Sequence, residues 1–426
     1  MRHEVKFGDL PNGVRFYAQH DPSRGSSVAG IGVKCGAIHT PPGLVGLPHL
    51  VEHVLARECL KYKGEDVDLM FERLGGPEFG DINIRIDKIS TFFGIDNQLR
   101  RGVMLFCLDI IANLLRDRIV TLEGVEVEKA AIHNEYFLNG VDNPFSVIHD
   151  GMHEIVYERN PARIRIDCEL EDLKRVTPYH VRRFIKKYYI PQRTFMIGFG
   201  PKFAEVAELA KKYLGDWKMA SAEPELDYDH SDDFPILTSI RSLEVTQPGI
   251  HQFHLSLGFP AGTYLSKDTE ALDILARIWA YRLKTRLREQ NRDFNKGVYR
   301  ALAFTFSRSF LHGLIFCWFA TISEEFAKQG EGIALQEAER FKQEFVDERT
   351  LDVMEKSLDD AYLYNFYYSP GGLSEMVIEA VCNGDEDLIH LHSFRERLHK
   401  VSRRKLREVA NKYFTKNYAR VLIRPV

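Results

Sequence analysis

"VTPYHVRRFIKKYYIPQRTFMIGFGP" (residues 176–201) and "VSRRKLREVANKYFTKNYARVLIRPV" (401–426) align without a gap. Val176 meets Val401, Thr177 meets Ser402, Arg182 meets Arg407, Lys187 meets Lys412 and Tyr188 meets Tyr413. Each stretch opens with a hydroxyl side chain suited to a helix N-cap. Apolar residues at helical spacing follow, then a short run of β-formers. A helix-then-strand unit that recurs 225 positions later (176 to 401) reads as an internal duplication.

The same offset holds upstream. "SSVAGIGVKCGA" (26–37) alternates as a strand and runs through a Pro/Gly loop into an apolar-faced helix over 48–57. "HQFHLSLGFPAG" (251–262) alternates too, with Phe253, Leu255, Leu257 and Phe259 on one face, and leads into the helical "DTEALDILARIWAYRL". Between the halves, "MASAEPELDYDHSDDFP" (219–235) is acidic, contains proline and has no periodicity, so it reads as a linker. The expected fold is α+β: two similar domains, 1–218 and 236–426, each a largely antiparallel sheet flanked by helices.

Composition narrows the function. The chain has 426 residues, 44% of them hydrophobic, with 57 basic and 61 acidic side chains and a formal charge of −4. That near-balance leaves no long-range field to select nucleic acid or an anionic membrane surface. Six scattered cysteines without a CxxC pair read as reduced thiols in a cytoplasmic setting. The opening "MRHEVKFGDLPNGVRFY" has no apolar core, so no secretory signal is expected. The apolar stretches 102–115 and 310–322 are too short, or too interrupted by Asp109 and His312, to span a bilayer.

"GLVGLPHLVEHVLARE" (43–58) carries the chemistry. On a helix, His49 and His53 lie on one face a turn apart and can share a cation. Imidazole nitrogen suits zinc, which keeps a water position open when protein ligands number three. Glu52, on the adjoining face, can reach that water as a general base without itself being a ligand. At the 225 offset these positions become Ile274, Arg277 and Ile278, so the second half keeps the helix and lacks the metal chemistry.

A third ligand has to come from another helix. "EGVEVEKAAIHNEYFLNG" (123–140) offers Glu128 and Glu135, two turns apart on one face. One could ligate while the other braces a histidine.

Together, "GLPHLVEHVL", "LGG" (74–76) and "EKAAIHNE" (128–135) resemble the pitrilysin-type M16 metallopeptidases, the inverzincins with H-x-x-E-H order, and in particular the short M16B subunits. The resemblance covers nearly the whole chain and implies a LuxS-like metallohydrolase fold with one zinc ion per chain. The family phrase E-R/K-x-V-V-x-x-E implies Glu135 as third ligand and Glu128 as its helper. The distance from His53, somewhat long for Glu135, would suit Glu128 better; the phrase is given more weight, so Glu135 is the expected ligand and Glu128 the alternative. The family's second-half pair falls on Arg282 in "AYRLKTRLRE" and Tyr299 in "NKGVY", which would hold the substrate backbone and stabilise the oxyanion.

The resemblance further implies an endopeptidase acting on small or unfolded peptides in an enclosed chamber, as a homodimer or with a related subunit. The alternative is a non-catalytic or partner-dependent subunit. There are two departures. "LDILARIW" replaces the glycine-rich run before Arg282, and "PEFGDINIRIDKISTFF" (77–93) stands where N-A-x-T is usual. Residues 82–93 are still expected to form an edge strand able to accept a peptide.

Overall fold

The computed structural model describes residues 4–23, 27–63, 70, 81–97, 101–137, 143–200, 206–224, 235–290, 300–306 and 313–426. Gly75, Gly76, Tyr299 and most of the 219–235 stretch lie outside them.

Two compact units emerge. The first comprises Met1–Glu135, Ile164–Asp227 and Tyr362–Cys382; the second comprises Tyr136–Arg163, Tyr228–Ala361 and Asn383–Val426. Within the first, strands β1 (Lys6–Asp9), β2 (Arg15–His20), β3 (Ser27–Val33), β4 (Asp81–Ile86), β5 (Thr91–Asn97) and β6 (Thr194–Gly200) form one sheet in the order β1-β2-β6-β3-β5-β4. All its pairings are antiparallel except β2 with β6. Its main helices are α1 (Leu47–Arg57), α2 (Arg101–Arg116), α3 (Leu122–Glu135) and α4 (Pro178–Tyr188).

Strand β3, "SVAGIGV", is buried along its whole length. Its glycines make room for aromatic rings crossing from the neighbouring strands. A Cβ on Gly30 would stand 2.3 Å from the Phe92 ring, and one on Gly32 would stand 2.2 Å from Phe195. The centre of the sheet therefore packs phenyl rings over bare backbone.

The second unit repeats the plan. Strands β7 (Arg241–Gln247), β8 (Phe253–Pro260), β9 (Arg300–Phe306), β10 (Leu314–Thr321) and β11 (Ala419–Pro425) run in the order β7-β11-β8-β10-β9. Here β7 with β11 is the parallel pair, matching β2 with β6. Helices α5 (Thr269–Gln290), α6 (Glu324–Gln343) and α7 (Arg403–Tyr413) pack on one face around Trp279, Phe259, Phe341 and Phe414. The expected hydroxyl cap is present at Ser402, whereas at Thr177 the bond is made by the backbone N–H to a histidine side chain. Ser402 Oγ accepts from the Lys405 N–H at 3.1 Å, and the Thr177 N–H donates to His180 Nδ1 at 3.2 Å.

A single cut does not separate the units, because each draws in a helix that stands among the other's residues in chain order. The Pro144–Val156 helix covers the second sheet with Ile148, Met152 and Val156 against Phe316, Trp318, Val421 and Ile423. The Pro370–Cys382 helix belongs with the first sheet. These two helices are themselves counterparts. Each starts with a proline after a capping side chain: Asn143 Oδ1 accepts from the Phe145 N–H at 3.0 Å, and Ser369 Oγ from the Gly372 N–H at 2.9 Å.

Candidate metal centre

Helix α1 is set by the turn that enters it. Gly46 has φ of 101°, a left-handed conformation open to glycine, and a Cβ there would lie 2.5 Å from the Cys168 Cβ. The Val45 N–H, one residue earlier, donates to Asp172 Oδ2 at 3.0 Å. Pro48 occupies the first turn, where its missing N–H leaves no bond unmade. Leu50, Val51, Val54 and Leu55 are buried and seat the helix against the core, which holds the opposite face in a fixed orientation.

That face presents His49, Glu52 and His53, whose ligand atoms all lie within 4.8 Å of one another. Among the described residues no such cluster of metal-ligating side chains lies elsewhere in the chain. The two imidazoles stand with ring centroids 4.9 Å apart. From α3, Glu135 Oε2 approaches His53 Nε2 at 3.4 Å and His49 Nε2 at 3.7 Å. Ligand atoms about 2.0–2.1 Å from a tetrahedral zinc are themselves about 3.3 Å apart. The donor set and its spacing thus fit that ion. Glu52 Oε2 sits 3.9 Å from both Nε2 atoms, so it too borders the centre, slightly further out than Glu135.

The two glutamates of α3 have different neighbours. Glu128 Oε2 accepts from His53 Nδ1 at 3.1 Å, and its Oε1 accepts from Arg57 Nη1 at 2.6 Å. Glu135 meets both histidines on their Nε2 edges. Arg57 is the neighbour of this cluster that sequence reasoning missed. Its signal was available: it stands four residues beyond His53, on the face that already carries the motif.

Charge is concentrated here. Burial, with the Glu135 and Glu128 carboxylates nearby and His53 opposing, raises Glu52 to about 7. Burial and the His53 charge lower His49 to about 4. For His53, burial opposes the cation, but hydrogen bonds to Glu128 and Glu135 raise it to about 10. Glu128 is held below the ordinary carboxylate range: burial works against its charge, and the bonds from His53 and Arg57 outweigh it. Three carboxylates around two imidazoles make a site of net negative charge, the complement of a divalent cation. One atom departs from the pattern: His49 Nδ1 is buried without a hydrogen-bond partner in the structure.

In the second unit, Ile274 and Ile278 are fully buried in the core and the Arg277 guanidinium donates to Ser357 Oγ at 3.2 Å. The face that carries the two histidines on α1 is a packing face on α5. Arg282, further along α5, places its guanidinium 4.8 Å over the Phe341 ring with Nη1 3.6 Å from Glu337 Oε2. Glu337 is almost fully buried and also accepts from Arg286 at 2.9 Å. Tyr299, the expected partner of Arg282, falls outside the described residues. Strand β4 ends the first sheet, antiparallel to β5, but the edge strand expected over 82–93 stops at Ile86; residues 91–93 begin β5, which lies inside the sheet between β3 and β4.

The family profile described as "Insulinase (Peptidase family M16)" matches residues 15–169, and the "Peptidase M16 inactive domain" profile matches 175–358. Mitochondrial-processing peptidase subunit alpha of Bos taurus is 24% identical over 217 residues, 50% of this chain and 39% of that protein. An uncharacterised zinc protease of Streptomyces coelicolor is 25% identical over 199 residues, 46% of this chain and 41% of that one. The chain thus spans about two fifths of the length of these relatives. The uncharacterised zinc protease YmxG of Bacillus subtilis matches end to end: 20% identity over 429 residues, 99% of this chain and 98% of the other. Among solved structures, a protease from Helicobacter pylori superposes with a TM-score of 0.85 at 18% identity, covering 99% of this chain and 100% of its own. Together the two profiles span most of residues 15–358, the second beginning within the first of the two halves read from the sequence, and the chain belongs to peptidase family M16.

Proposed function

We propose that this chain is a zinc-dependent endopeptidase that hydrolyses small or unfolded peptides. The observation that carries the reading is the approach of Glu135 Oε2 to the Nε2 atoms of both His49 and His53, with Glu52 beside them. His49, His53 and Glu135 would hold one zinc ion. When bound, that ion supplies a Lewis acid that polarises a carbonyl and makes water more acidic.

Glu52 takes the proton from the water that attacks the scissile carbonyl. It gives that proton to the amine nitrogen as the C–N bond breaks. A buried carboxylate whose pKa lies near neutrality can serve in both directions. Glu128 orients His53 through Nδ1. Edge strand β4 accepts the peptide by main-chain pairing, which requires an extended segment and so favours small or unfolded substrates. All six thiols are buried and free, which suits a reducing, cytoplasmic setting. No helix among the described residues is long and apolar enough to cross a membrane. A dimer of two such chains is the proposed working form.

Glu52→Gln is expected to retain zinc and to lose cleavage of a fluorogenic peptide. Wild-type turnover by that variant would refute the assignment of the base. The second reading is a partner-dependent subunit. It draws on the relatives named as alpha and beta subunits of a processing peptidase, the beta subunit of Saccharomyces cerevisiae being 24% identical over 211 residues. Peptidase activity of the purified chain alone would exclude it.

A further inference from the structure

We propose that Arg57 is a positioning residue for the metal centre: by tying one oxygen of Glu128 it aims the other at His53 Nδ1, and so sets the ring edge that His53 presents to a cation. The inference rests on the zinc site proposed above and adds to it a residue outside the ligand set.

Helix α1 carries His49, His53 and Arg57 at successive four-residue steps, so all three lie on one face. Glu128 on α3 straddles the last of these turns. Its Oε2 lies 3.1 Å from His53 Nδ1, and its Oε1 accepts from Arg57 Nη1 at 2.6 Å. The terminal torsion of a glutamate is broad and roughly two-fold, so a carboxylate held at one oxygen can still turn. Held at both, its plane is defined. An ionised carboxylate only accepts, so the proton of the neutral His53 ring belongs on Nδ1. That leaves the Nε2 lone pair on the side where Glu52 and Glu135 converge.

The path of the arginine across α3 is equally specific. A Cβ at Gly124 would lie 3.7 Å from Arg57 Nε and 3.9 Å from its Cδ. The stem therefore passes over Gly124 and delivers the guanidinium one helical turn further on, at Glu128. The Arg57 side chain is 42% exposed, and ion pairs in such a position contribute little to folding. Loss of Arg57 should therefore appear in the site and leave the fold in place.

The test measures the zinc dissociation constant of the full chain by competition with a chromophoric chelator. The proteins are wild type, Arg57→Gln, Arg57→Lys, Glu128→Gln and the Arg57→Gln/Glu128→Gln double variant. Disrupting a group that orients a ligating histidine weakens metal affinity about 10- to 100-fold. Arg57→Gln, one step further out, is expected to weaken zinc binding about tenfold, with Arg57→Lys recovering part of it. In the Glu128→Gln background the same change should have no further effect. Thermal midpoints of the metal-free variants should match wild type. Wild-type zinc affinity in Arg57→Gln would overturn the inference, as would an equal loss with and without the Glu128 carboxylate. A wild-type chain that binds no zinc would overturn the metal-centre reading as well, so the two failures are distinct.

Discussion

Glu135 Oε2 stands 3.4 Å from His53 Nε2, on the opposite edge of the ring from Glu128. One imidazole thus separates two carboxylates from the same helix into different tasks. Glu135→Ala is expected to abolish stoichiometric zinc, because it removes a donor atom. Glu128→Gln should keep the metal with affinity lowered about 10- to 100-fold, because it removes only the partner that orients a donor. Metal analysis after dialysis, followed by chelator competition, checks both. Full zinc occupancy in Glu135→Ala would exchange the two roles.

Gly46 controls the seating of the whole motif. Its φ of 101° is strained for any side chain, and a Cβ would lie 2.5 Å from Cys168. Gly46→Ala should therefore destabilise the chain by about 1–3 kcal/mol. Because α1 must shift to relieve the contact, zinc affinity should fall with stability. Chemical denaturation and chelator competition on the same preparation test this. Unchanged stability would mean that the turn tolerates a Cβ.

Arg282 is engaged within its own unit by Glu337 and the Phe341 ring. Arg282→Ala should cost about 1–2 kcal/mol through lost cation–π contact and a less compensated buried carboxylate. Unfolding midpoint and peptide KM, measured together, separate that role from the substrate-holding one its sequence position suggests. A tenfold rise in KM at unchanged stability would assign the side chain to substrate.

His254 gives the second unit a pH dependence of its own. Burial lowers its pKa to about 4, and the Trp318 Nε1–H donates to its Nδ1 at 3.2 Å, which requires the neutral ring. The unfolded chain, with an ordinary histidine near 6.5, binds the proton more readily. The contribution to stability is therefore complete above pH 6.5 and declines as pH falls toward 4. At pH 5 the loss should be on the order of 1 kcal/mol. Thermal melts at pH 7.5 and pH 5 should differ less for His254→Phe than for wild type. Equal pH sensitivity in the two proteins would place the effect elsewhere.

Much of this was legible locally. The duplication, the α+β class and the shared face of His49 and His53 follow from the periodicity of helices and strands, which depends on backbone geometry alone. The loss of that face in the second half was equally visible, since Ile274 and Ile278 can only be core residues on a helix of that pattern. Local periodicity could not distinguish Glu128 from Glu135, because both lie on the same side of α3.

Only the tertiary structure decided between their neighbours. Where α3 crosses α1 determines which glutamate meets an Nε2 edge and which meets an Nδ1 edge. It also places Arg57 over Gly124. The same holds for the Pro144–Val156 and Pro370–Cys382 helices, each packed with the unit other than the one its chain position suggests. A helix carries its apolar stripe in its sequence, but the sheet that buries the stripe is chosen by where the long-range contacts close.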